Sequence, residues 1–99
     1  MDAWQTLLHS VLPHLTTRRV GRLTGKSHRV VQKWYSGDMT IPDTVMHAVQ
    51  DQAHLLEKST LAADLKMIVD KAERAGIHPE IIGSHLAAEY LRITGHEIE

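Results

Sequence analysis

Residues 17–37 read TRRVGRLTGKSHRVVQKWYSG. Two short helical patterns meet there at one glycine, Gly25. Val20 and Leu23 mark the apolar side of the first pattern, and Val30, Val31 and Trp34 that of the second. A helix-turn-helix makes specific demands on such a segment. Its first helix must stop sharply, which favours glycine in the left-handed conformation at the turn. Four residues before Gly25 the helices cross closely enough to need a small side chain, and Gly21 stands there. Six residues after Gly25 an apolar, β-branched side chain must plug the gap between helices, and Val31 stands there. Val20, one before the small residue, and Trp34, three after the plug, complete the set. Ser27, His28, Arg29, Gln32 and Lys33 gather on the polar side of the second helix.

Charge singles out the same segment. The whole chain of 99 residues carries a formal net charge of -1, which by itself argues against a polyanionic partner. The sum hides two halves. From Met1 to Ile41 six bases face two acids, +4, and all six bases fall between Arg18 and Lys33. From Pro42 to Glu99 five bases face ten acids, −5. Such asymmetry points to nucleic acid or a membrane surface for one half, or to a basic solvated helix face.

Outward from the turn, the chain reads as helix throughout. Trp4, Leu7, Leu8, Val11 and Leu12 recur every three to four residues up to Pro13. Thr16 or Thr17 caps the next helix and Ser27 the one after. Ser36-Gly37-Asp38 is a turn, and Pro42 suits a first helical position ahead of Asp43. Val45, Val49, Ala53 and Leu56 line one face. Leu61, Leu65, Ile68, Val69 and Ala72 continue that stripe to Gly76, as one long helix or as two divided at Ser59-Thr60. His78-Pro79-Glu80 starts a last helix carrying Ile82, Leu86, Tyr90 and Ile93, which stops near Gly95. Nothing alternates with the period of a strand, repeats internally or is of low complexity.

The Thr17–Gly37 constellation resembles the helix-turn-helix of the Cro/CI (XRE-like) phage repressor family of transcriptional regulators. Trp34-Tyr35-Ser36-Gly37-Asp38 followed by Ile41-Pro42 looks like that family's run into its fourth helix, so the resemblance extends to about Val49. Thr24 and Lys26, on either side of the turn glycine, stand where the family usually carries apolar residues. The resemblance implies double-stranded DNA as partner. Ser27, His28, Arg29, Gln32 and Lys33 are then expected at base edges, where Gln pairs with adenine and Arg with guanine. Thr17, Arg18, Arg22, Tyr35, Ser36 and Thr40 are expected at phosphates, which set affinity without reading sequence.

Other chemistries have little support. Gly21 to Ser27 ends in Gly-Lys-Ser like a phosphate-binding loop, but three residues separate its glycines where four are needed. His47 and His54 are seven apart, as are His78 and His85, about 10 Å along a helix and too far to share a metal. Zero Cys excludes disulfides and thiolate sites, and no Ser, His and Asp stand at a spacing that implies catalysis. No membrane span and no signal-peptide layout is readable, so a cytoplasmic protein is expected.

The expectation is an all-α fold of five to six helices. Residues 1–58 form a helix-turn-helix head, and residues 59–99 a C-terminal helical segment that either dimerises or completes one continuous domain. One recognition helix reads only a few base pairs, so a homodimer on a palindromic operator is expected, joined through Leu65, Ile68, Val69, Ile82, Leu86 and Tyr90. The function expected is a dimeric repressor of a phage or mobile-element operon, with no enzyme activity, metal, cofactor or small-molecule ligand. The alternatives are a DNA-recognising subunit of a larger machine, such as a small terminase, and a helical protein-binding adaptor.

Overall fold

The computed structural model describes residues 3–98. Asp2 and Glu99, two of the acids in the charge sums, and the outer ends of the two expected segments lie outside the described residues. Among the described residues there are six α-helices and no strand, so the chain is all-α. They are α1 (Ala3–Val11), α2 (Thr17–Thr24), α3 (His28–Ser36), α4 (Asp43–Lys58), α5 (Leu61–Arg74) and α6 (Pro79–Thr94).

The helix ends follow from local chemistry. Thr16, with extended backbone, caps α2 by accepting the Arg19 amide at 3.0 Å. Ser27 caps α3 by accepting the Val30 amide at 3.3 Å. Pro42 proves to be the cap residue of α4 rather than its first turn, because its ψ of 144° is extended. The stripe from Val45 to Ala72 is two helices: the backbone turns extended at Ser59, whose hydroxyl donates to the Leu56 carbonyl at 2.8 Å. Thr60, the cap residue of α5, makes no side-chain bond to its backbone; the Thr60 hydroxyl donates to the Asp64 carboxylate at 2.6 Å instead.

Two compact units result, Met1–Ser59 and Thr60–Glu99. In the first, α1 packs on α4 and α2 packs on α3 and α4. Trp4, Leu8, Val20, Val31, Trp34, Val45 and Val49 form its core. Trp4 and Trp34 meet edge to face, with ring centroids 6.1 Å apart and planes at 86°. Arg19, next to Val20 in α2, is also buried, and its guanidinium binds His14 at both Nδ1 (2.7 Å) and the carbonyl (3.0 Å). One of the six bases of the N-terminal half is therefore internal.

In the second unit α5 packs against α6, and neither helix has a buried residue. Pro79 occupies the first turn of α6, and His78 caps it by accepting the Glu80 amide through Nδ1 at 3.0 Å. On α6, Arg92 donates to Glu89 through Nε at 3.0 Å and Nη2 at 2.8 Å. These hydrogen bonds, and then the charge of Arg92, hold the Glu89 carboxyl below its ordinary value.

Candidate nucleic-acid interface

The turn between α2 and α3 is tight because two backbone donors converge on one carbonyl. Gly25 has φ 74° and ψ 21°, and its N–H points at the Gly21 carbonyl. The Lys26 N–H reaches the same oxygen at 2.9 Å. A Cβ on Gly21 would lie 2.6 Å from the Lys26 carbonyl oxygen, so the crossing admits only glycine without a shift of backbone. Val20 and Val31 are fully buried on either side of it. Thr24, polar where apolar packing is usual, satisfies its own hydroxyl by donating to the Val20 carbonyl at 2.8 Å.

With Val31 and Trp34 committed to the core, α3 has its other side in solvent. Ser27, His28, Arg29, Gln32 and Lys33 are all exposed, on and just before that helix. Val30 is half-buried and packs against the core. On α2, Arg18 and Arg22 are exposed and Thr17 is half-buried. Arg18, Gly21, Arg22, Lys26 and His28 line a shallow hollow of about 190 Å³ at the mouth of the turn. Three cations thus border a depression whose floor lacks a side chain. Sequence pattern alone gives Lys26 no role at the interface, since it stands beside the turn glycine where an apolar residue is usual. Its chemistry, a base one residue from a forced turn in a +4 segment, was the available signal.

The residues after α3 divide. Thr40 is exposed. Tyr35 is half-buried with its hydroxyl out of solvent contact. Ser36 is exposed, but its hydroxyl lies 3.1 Å from both the Lys33 carbonyl and the Asp38 carboxylate, where an anion would meet a negative charge. Tyr35 and Ser36 are thus poorly presented to a phosphate. In the second unit Leu65, Ile68 and Leu86 are exposed, whereas Val69, Ile82 and Tyr90 are half-buried where α5 and α6 pack. Among the described residues no three His, Asp or Glu side chains gather as a metal site, and no helix is long and apolar enough to cross a membrane.

No protein-family model, no curated protein and no solved structure matches this chain. Its local geometry therefore carries the functional reading. No acid occurs between Asp2 and Asp38, so the exposed side chains of α2 and α3 project cations and amides with no carboxylate among them. Such a surface favours a polyanion, and a helix about 10 Å across with side chains fits a major groove about 12 Å wide.

Proposed function

We propose that the chain is a sequence-specific double-stranded DNA-binding regulator that works as a pair of heads on an inverted repeat. The observation that carries this reading is the basic hollow of Arg18, Arg22 and Lys26 beside the exposed side of α3. Successive phosphates meeting Arg18, Arg22 and Lys26 at the hollow would fix the head on the DNA backbone. His28, Arg29, Gln32 and Lys33 would then face base edges, with Ser27 at the helix start. The likeness of residues 17–49 to Cro/CI-type repressors supports a cytoplasmic repressor of a phage or mobile-element operon. No catalytic role is proposed for any residue.

Duplex binding measured against salt tests the reading. Three phosphate contacts per head in a paired complex give a log–log slope of about −5. Arg18→Ala and Arg22→Ala each reduce that slope by about 1 per head without changing the preferred sequence. Gln32→Ala instead relaxes preference at one position of each half-site, with half-sites about 34 Å apart. Failure to bind any duplex, its own promoter included, at low salt would refute the reading.

A further inference from the structure

The hairpin of α5 and α6 has no core of its own. On α5, Leu61, Leu65 and Ile68 are 61%, 45% and 65% exposed, and no residue of either helix is buried. A folded segment of about 40 residues needs disulfides, a metal or association to hold it. This chain has no cysteine, and no group of three metal-ligating side chains occurs among the described residues. Association is the remaining means.

The exposed apolar residues form an ordered surface. Leu61, Leu65, Ile68 and Ala72 recur at i, i+4, i+7 and i+11, the seam spacing of packed helices. Ile68 and Ala72 also line a groove of about 250 Å³ whose other wall includes Ile81, Ile82 and Leu86 of α6. Row and groove are therefore one continuous patch. Its large side chains, Leu61, Leu65, Ile68, Ile81 and Leu86, are 39–65% exposed, a contiguous apolar centre such as a standard interface of about 800 Å² per partner is built around. A row lying beside a groove suits a two-fold arrangement, because each copy offers the other both a ridge and a depression.

We infer that this patch is covered by a second copy of the chain, forming a four-helix bundle, and that α5 and α6 are helical only when paired. The inference deepens the paired-head reading and rests on its pairing, but not on DNA binding. Dissociation leaves a folded head, which has its own core, and an unfolded tail. Fourteen residues of α5 and sixteen of α6 supply 30 of the 72 helical residues described, so unpairing removes about two-fifths of the helical signal. The C-terminal unit carries seven acids and four bases, so added salt screens its self-repulsion and does not weaken pairing. DNA binding has the opposite salt response.

The full chain without DNA provides the test, by sedimentation and far-ultraviolet circular dichroism over a concentration series. Twice the monomer mass is expected, with helicity falling by about two-fifths on dilution while tryptophan fluorescence of the head stays native. Ile68→Asp is expected to weaken pairing by 30-fold or more, on the order of a hot-spot loss. Because Ile68 is 65% exposed in the single chain, the new carboxylate is solvated there and would spare a self-sufficient hairpin. Met67→Asp is the matched control: Met67 is 62% exposed but lies off the Leu61–Leu65 row, and pairing is expected to persist. A monomer with undiminished helicity overturns the inference. So does a trimer or larger assembly, or equal loss of pairing in both variants. A stable pair that binds no duplex leaves the bundle standing and removes only the DNA reading.

Discussion

Gly21→Ala sets helix propensity against packing, and the structure decides the sign. Alanine in place of glycine within α2 favours the helix by about 1 kcal/mol. The added methyl, however, would sit 2.6 Å from the Lys26 carbonyl oxygen. Reaching ordinary contact near 3.4 Å requires a shift of about 0.8 Å. That oxygen belongs to backbone, and the Lys26 and Gly25 amides are both bonded to the Gly21 carbonyl, so the turn cannot yield without straining both bonds. Overpacking of this kind costs about 1–3 kcal/mol, and a rigid obstacle belongs at the upper end. The net expectation is a loss of about 1–2 kcal/mol. Trp4 and Trp34 are the only tryptophans and both lie in the head's core, so their fluorescence in a urea titration reports the head alone. With a slope near 1 kcal/mol per molar urea, the midpoint falls by about 1–2 M. Gly83→Ala is the contrast: a methyl there meets nothing within 4 Å, so the hairpin gains stability and the head transition stays in place. An unchanged or raised midpoint for Gly21→Ala would refute the close crossing on which the placement of α3 depends.

Thr16→Ala removes the acceptor for the Arg19 amide and is expected to cost the head about 1 kcal/mol in the same titration, with Thr16→Ser recovering most of it. Arg92→Ala is expected to return the Glu89 titration, followed by NMR, upward to the ordinary carboxylate range. Since the folded-state value is depressed, any contribution to stability is present above the unfolded-state value and disappears as pH falls through the depressed one. Both groups are exposed, so thermal unfolding near neutral pH should not change measurably on the substitution.

The head is legible in the sequence because its determinants are local. Gly25 answers a conformational need, Gly21 a steric one, and Thr16 and Ser27 each satisfy an amide three residues ahead. The boundary between α4 and α5 is not legible in the same way. No glycine or proline marks it, and the one signal is the five-residue step from Leu56 to Leu61, which carries the apolar stripe more than a quarter turn around the helix while the three-to-four spacing resumes at once on either side. Hydrophobic spacing is equally silent about what lies opposite a stripe. Val45 and Val49 on α4 are buried, while Leu61, Leu65 and Ile68 on α5, with the same pattern, are exposed. The pattern states only that a face requires cover; solvent exposure in the folded chain separates cover supplied within the chain from cover still required.

Charge shows the same limit from the opposite direction. The +4 of the N-terminal half counts Arg19 with Arg18 and Arg22, because a sum over sequence has no inside. In the fold Arg19 lies against His14 and serves the architecture of α2, whereas Lys26, whose sequence position merely looked irregular, joins Arg18 and Arg22 at the hollow. The net charge already counts both side chains and is unchanged by where they lie; what the fold decides is its placement. Attraction for a run of neighbouring phosphates depends on cations gathered on one patch, since separated surface charges are screened over about 10 Å at ordinary ionic strength. Three bases around Gly21 are therefore a better measure of the head's attraction for DNA than six along a segment. On that basis Lys26→Ala should lower the salt slope as much as Arg22→Ala, and Arg19→Ala should lower stability before it lowers the slope.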